Sequence, residues 1–259
     1  MTMIRFSIIT VTFQAAKVCE RTFDSVLKQR YTQVEHIIID GVSTDGTVAL
    51  AEAYAQKNDT EKTGHVVHFI SEPDKGLYDA MNKGIEMAKG DYLVFLNAGD
   101  VFPSESTLEQ IAECVLAGEE MPAVLYGDTD IVDEDGRFLR HRRLSPSESL
   151  SWRSFKYGML VCHQAFYART DIAKSTPYYI KYKYSADVDW CIRIMKKAAQ
   201  RQLPLRYINS VVVNYLDGGM SIQNHRASLK ERFHVMVSHY GWFQTIIMHG
   251  WFLIRSLIR

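Results

Sequence analysis

The chain has 259 residues, 47% hydrophobic and 23% charged, so it can bury a substantial core and is no disordered polymer. Thirty basic residues balance thirty acidic ones, which leaves no global field to draw nucleic acid. The four cysteines, Cys19, Cys114, Cys162 and Cys191, form no CxxC pair and read as free thiols of a reducing, cytoplasmic compartment rather than zinc ligands.

Residues 1–6 run directly into a strand and lack the apolar core of a signal peptide. Residues 6–13 are apolar and β-branched, as a central strand buried on both faces requires. Val18, Thr22, Phe23, Val26 and Leu27 repeat at helical spacing, and Ile37-Ile38-Ile39 is a second strand ending at Asp40. Loop residues 41–46 precede a helix marked by Val48, Ala51, Tyr54 and Ala55; a polar connection leads to a third strand at 66–70. Met81, Ile85 and Ala88 line the next helix, which Gly90 is placed to end, and residues 92–96 are a fourth strand. Ser106 and Glu109 have capping-box spacing ahead of Ile111, Ala112, Val115 and Leu116. This β-α alternation predicts an α/β fold with a largely parallel sheet and right-handed crossovers.

The second half changes character. Residues 123–126 and 130–133 read as two strands, with Glu134-Asp135-Gly136 turning into a returning strand at 137–141. Residues 187–198 are helical, 205–215 form a long strand, and Gly218-Gly219 interrupts the chain before two C-terminal helices. The halves divide near residues 103–122.

Ligands of open α/β sheets bind at the carboxyl ends of the strands. Thr10, Thr12 and Phe13 end the first strand there and Asp40 ends the second, where a carboxylate can accept from a base N–H and Phe13 can cover a ring. Asp40-Gly41-Val42-Ser43-Thr44-Asp45 is also ordinary turn and helix-cap chemistry, and Asp45 suits fixing the loop or capping the helix. The stretch Ser71 through Gly84 carries Asp74, Lys75, Tyr78, Asp79 and Asn82. Asp79 and Asn82 share a helix face, and Lys75 can meet a phosphate as a point charge. Asn97-Ala98-Gly99-Asp100 closes the fourth strand. Asp187 and Asp189 open a helix about 200° apart around its axis, so one of them faces away from any cleft.

These segments together resemble the nucleotide-sugar half of inverting glycosyltransferases of family 2, most strongly over residues 4–100 and more weakly to 225. Within that family the chain is similar to bacterial enzymes of exopolysaccharide, O-antigen or colanic-acid type. The resemblance implies a GT-A, Rossmann-like nucleotide-diphospho-sugar transferase fold. It divides residues 1–225 into a nucleotide-sugar half (1–102) and an acceptor half (103–225), with a helical tail at 226–259. It implies donor binding by Thr10, Thr12, Phe13, Asp40, Ser43, Asp45, Lys75, Tyr78, Asp79, Asn82, Asn97 and Asp100. Asp100 holds Mg²⁺ or Mn²⁺ against the diphosphate, and Asp187 is the base that deprotonates the acceptor hydroxyl. The expected donor is a UDP-sugar, with GDP or dTDP open, and the acceptor a saccharide, lipid-linked in the favoured reading. Three departures stand out: Gly41 replaces the second of two adjacent acids, Asn97-Ala98-Gly99-Asp100 stands for Asp-x-Asp-Asp, and Ala186 replaces a glutamate before Asp187. His163-Gln164 and the Gly218-Gly219-Met220-Ser221 loop also fit the family pattern, the latter as a flap over the donor.

From 225 onward the tail carries five basic residues against one acid, with Trp242, Trp251, Arg255 and Arg259 placed as in an interfacial helix. Gln244, His249 and Arg255 interrupt the apolar run, so it falls short of a spanning helix. The tail therefore reads either as resting on the inner face of the cell membrane or as packed on the core or on the partner of a homodimer. Two rival readings are a sugar-nucleotide-binding protein of weak activity and a nucleotidylyltransferase; the latter lacks its Gly-rich phosphate loop after the first strand.

Overall fold

The structure is a computed structural model that describes residues 3–218 and 224–257. Of the expected flap, Gly219, Met220 and Ser221 lie outside the described residues, as does Arg259. Four strands, β1 (Phe6–Thr12), β2 (Val34–Asp40), β3 (Val66–Ser71) and β4 (Tyr92–Phe95), run parallel in the order β3-β2-β1-β4. Helices α1 (Cys19–Leu27), α2 (Thr47–Glu61) and α3 (Leu77–Met87) connect them, and α4 (Thr107–Leu116) follows β4. Every residue of β1, β2 and β4 is buried, which is why their apolar residues show no alternation, whereas β3 is the partly exposed edge.

The second half extends the same sheet with mixed polarity. Residues 124–132 form one strand, β5 (Val124–Val132), not the two short ones expected; irregular register around Asp128 breaks its hydrophobic pattern. It turns at Gly136 into β6 (Phe138–His141). Strand β7 (Phe166–Arg169) inserts antiparallel between β4 and β5, and β8 (Leu205–Leu216) runs parallel to β5. Helix α5 (Thr170–Lys174) follows β7, and α6 (Ala186–Gln200) precedes β8. Two helices finish the described chain, α7 (His225–Tyr240) and α8 (Trp242–Leu257). Val235 of α7 belongs to the main core, and Tyr240 stacks on Trp152 at 5.9 Å while its hydroxyl donates to the Trp152 carbonyl.

Two local expectations fail for stated reasons. Ser106 precedes α4 without a side-chain cap; Thr107 and Ser104 bond each other instead. Gly90 does not end α3 in a left-handed cap, since α3 stops at Met87 with Ala88 extended. Glycine is needed at 90 because a Cβ there would lie 2.8 Å from the Arg5 carbonyl and the Ser7 amide.

Candidate active site

The carboxyl ends of β1 and β2 form a tightly bonded rim. Asp40 is fully buried and accepts from Thr12 Oγ1 (2.9 Å), Ser43 Oγ (2.6 Å), Ser43 N (2.8 Å) and Ser71 Oγ (2.8 Å). Burial alone would raise its pKa; the Ser43, Ser71 and Thr12 donors outweigh that and hold it below the ordinary value. Asp45 accepts from Thr47 Oγ1 (2.6 Å) and Ala16 N (3.0 Å), so it ties the loop after β2 to the loop after β1. Gln14 and Val42 sit in these two loops at positive φ (51° and 62°), which for β-branched Val42 is strained. Gln14 N–H donates to Ser43 Oγ and its side-chain amide reaches Thr44 Oγ1, locking the loops together. Phe13 stands on this rim 68% exposed, its ring free to cover a planar ligand. Thr10 lies deeper, its hydroxyl donating to the Leu96 carbonyl and meeting His36, so it is enclosed in the sheet.

A cavity of about 310 Å³ is lined by α3, the end of β4, the segment before β7, α6 and α7. Tyr78 and Met81 of α3, Asn97 after β4, His163 and Gln164 before β7, Asp187 of α6 and Arg232 of α7 line it, with Arg140, Arg142 and Lys183 adding positive charge. Asp187 stands in its wall; Val188 N–H donates to its Oδ1 at 2.9 Å, and the Tyr78 hydroxyl is 3.4 Å away. Burial raises its pKa, opposed first by the charge of Arg232. Asp189 turns the other way into the α6–α7 contact, bonded to Arg193 (2.7 Å) and His239 (2.9 Å). His163 stacks on Phe95 at 4.9 Å and bonds Tyr178, and burial lowers its pKa to about 3, so it lines the cavity as a neutral ring.

Other expected residues distribute differently. The Asn82 amide is engaged twice by the Tyr178 backbone, at 3.1 and 2.7 Å, and so splints α3 to residue 178. Asp79 accepts from Lys75 N (2.9 Å) and closes the turn before α3, while Lys75 is exposed. Asp100 does not line the cavity. It is 3% exposed and its oxygens accept from Leu216 N (2.9 Å) and Gln164 Nε2 (2.8 Å), joining the end of β4 to β8. Burial pushes its pKa to about 7 against those two donors.

The donor set at the end of β4 does not fit the expected Mg²⁺ or Mn²⁺. Asn97 Oδ1 is a buried oxygen without a hydrogen-bond partner, but Gly99 brings no side chain and Asp100 is enclosed with both oxygens engaged. No group of three His, Cys, Asp or Glu among the described residues is arranged to hold a metal. These residues do not make an open metal site.

Arg232, Glu231, Arg142, Lys183 and Tyr215 were not singled out from the sequence as site residues. All of them lie in the second half or the tail, where no local motif marks them. Asp74, which the 71–84 stretch did bring forward, stands beside Gly41. A Cβ at Gly41 would fall 2.7 Å from Asp74 Oδ2, so the glycine admits a carboxylate from the next loop to the place of the absent acid.

A parallel α/β half with a hydrogen-bonded polar rim at its strand ends, and a cavity that sets Asp187 and Asp217 among four cations, has the parts of a sugar-transferring enzyme of GT-A fold. Residues 7–175 match the profile described as Glycosyl transferase family 2, and the chain belongs to that family. It is 35% identical over 219 residues to the PGL/p-HBAD biosynthesis glycosyltransferase of Mycobacterium bovis (strain BCG / Pasteur 1173P2), covering 83% of this chain and 78% of that protein. Among solved structures it resembles S. aureus TarS 1-349 in complex with UDP-GlcNAc, with TM-score 0.70 and 17% identity over 90% of this chain and 66% of that one. It also resembles the mannosyltransferase PcManGT from Pyrobaculum calidifontis in complex with GDP-Man and Mn²⁺, with TM-score 0.62 and 16% identity over 92% of this chain and 63% of that one. Family membership removes the nucleotidylyltransferase reading.

Proposed function

We propose that the chain transfers a sugar from a nucleotide-sugar, UDP-linked in the favoured case, to a saccharide hydroxyl with inversion, in building bacterial cell-surface glycans. The observation that carries this reading is the placement of Asp187 in the wall of the same cavity that Tyr78 and Asn97 line. The TarS complex with UDP-GlcNAc supports the donor class, and the mycobacterial relative, named for PGL/p-HBAD biosynthesis, supports a lipid-linked acceptor.

In this reading Phe13 covers the base, while Asp40, Thr12, Ser43 and Asp45 hold the rim that shapes the nucleoside site and Thr10 backs it. Lys75, Tyr78 and Asp79 flank the ribose and diphosphate, and Asn82 keeps α3 in place. Asn97 meets the diphosphate edge with its free oxygen, and Asp100 anchors that turn from beneath. Arg142 and Lys183 offset the charge of the departing diphosphate. Inverting transfer is one in-line displacement: the acceptor oxygen attacks the anomeric carbon, the bond to the diphosphate breaks, and the acceptor proton passes to Asp187.

We also propose that α8 rests on the inner face of the cell membrane, since Trp242, Phe243, Ile246, Ile247, Trp251 and Ile254 are exposed and recur along one side. No helix among the described residues is long and apolar enough to cross a membrane. A homodimer through this face is the competing arrangement.

The test is a calorimetric panel of UDP, GDP and dTDP with their sugars, run in EDTA and in Mn²⁺. Binding of a nucleoside diphosphate together with turnover supports the reading, and the EDTA arm decides whether Mg²⁺ or Mn²⁺ takes part. No binding in either condition overturns it. Binding without turnover on any acceptor would favour a sugar-nucleotide-binding protein, for which Gly99 and the enclosed Asp100 are the motivating departures.

A further inference from the structure

Asp187 is the second residue of α6, and the backbone leading into it is not held by its own cap. Ser185 makes no side-chain cap bond. Instead the carboxylate of Glu231, on α7, accepts from three consecutive amides, Lys183 N (2.7 Å), Tyr184 N (2.6 Å) and Ser185 N (2.7 Å). Three charge-assisted bonds to adjacent amides fix this turn far more firmly than one serine would. Ser185 Oγ adds a bond to the Ser228 carbonyl, again on α7 (3.3 Å). The next residue of α7, Arg232, lines the cavity that holds Asp187, and its Nε is buried with no hydrogen-bond partner. A donor left so in a native structure calls for a reason, and the carboxylate in the same cavity wall supplies one.

We propose that Glu231 and Arg232 are positioning residues for the base: Glu231 fixes the backbone that presents Asp187, and Arg232 supplies the cation that faces it. The proposal rests on Asp187 being the base. The other cations of the cavity are engaged elsewhere: Arg142 donates to the Leu144, Met159 and Leu160 carbonyls, and Arg140 pairs with Asp217, the second carboxylate of the lining. Tyr78, Tyr178 and Cys191 have pKa values raised by burial and stay neutral, Tyr215 is likewise raised, and His163 is neutral. Lys183 is exposed at the mouth, and Glu231 adds negative charge. Without Arg232 a half-buried carboxylate in this company would hold its proton more tightly and accept one less readily. The tail helix would thus belong to the catalytic apparatus, although the family match ends at residue 175.

The experiment needs no substrate. Full-length protein with ¹³Cγ-labelled aspartate is titrated by NMR, the Asp187 resonance being assigned by its loss in Asp187→Asn. In Arg232→Gln the Asp187 midpoint should rise by about one to three pH units, and Arg232→Lys should recover most of that shift. In Glu231→Ala, amide exchange at 183–185 should quicken at least about tenfold while exchange in β1 stays unchanged. A midpoint that moves less than about 0.3 units in Arg232→Gln, or exchange at 183–185 unaltered in Glu231→Ala, would overturn the proposal. UDP calorimetry on the wild type runs alongside: absence of binding there would sink the sugar-nucleotide reading while leaving a shifted midpoint standing.

Discussion

Asp40 offers the sharpest quantitative test, because its four hydrogen bonds all come from the protein. Asp40→Ala removes every acceptor and strands the Ser43 amide and three hydroxyls around a buried void. At about 1 kcal/mol net per bond the loss is about 4 kcal/mol, or a fall of roughly 8–16 °C in melting temperature for a protein of this size. Asp40→Asn should cost far less, about 1–2 kcal/mol, because the Thr12 and Ser43 hydroxyls at Oδ1 can turn to accept from an amide NH₂ while Oδ2 keeps its donors. The pH dependence has a definite sign. The folded-state pKa of Asp40 is depressed, so its contribution is present above the ordinary value of 3.8 and is lost as pH falls through the lower folded value. Urea unfolding of both variants from pH 7 to pH 3 measures this, and Asp40→Asn should flatten the acidic end of the curve. Equal stability of wild type and Asp40→Ala within about 0.5 kcal/mol would refute the bond assignment. A large loss of UDP affinity in Asp40→Asn at unchanged stability would instead place the carboxylate on the nucleotide.

Gly90→Ala should destabilise by about 3 kcal/mol by urea titration, because the new methyl meets the Arg5 and Ser7 backbone, which cannot give way as a side chain would. Val42→Gly should stabilise by about 1 kcal/mol by relieving its positive φ; a destabilised variant would show that Val42 makes a compensating contact. Phe13→Ala should weaken UDP binding by about tenfold with melting temperature unchanged, since the ring is exposed; unaltered affinity would put the base elsewhere. Phe243→Glu, at an 81% exposed position, should reduce flotation with anionic vesicles without affecting UDP affinity, and equal flotation would remove α8 as the contact.

The parallel half was legible because β1, β2 and β4 are buried on both faces and α1, α3 and α4 each carry one apolar stripe, so local pattern and tertiary role coincide. The motifs at strand ends were legible as candidates for the same reason: in such a sheet the carboxyl edge is where side chains escape the core. The mixed half was harder. β5 reads as two strands because Gly127 and Asp128 sit at an irregular register, and β7 is inserted between β4 and β5 by pairing that no local pattern announces.

The sequence by itself determined the α/β class and the parallel half of the sheet from periodicity, and its motifs carried the family resemblance and, through it, the choice of Asp187 over Asp189. Only the tertiary structure decided what each polar residue touches: that Asp40 and Asp100 bind protein donors, that Asp74 stands against Gly41, and that Glu231 and Arg232 reach α6 from the tail. Local pattern reports which side of an element is buried. The partner of a charge depends on contacts between segments as far as 116 residues apart, as for Asp100 and Leu216, and only the folded chain brings these together.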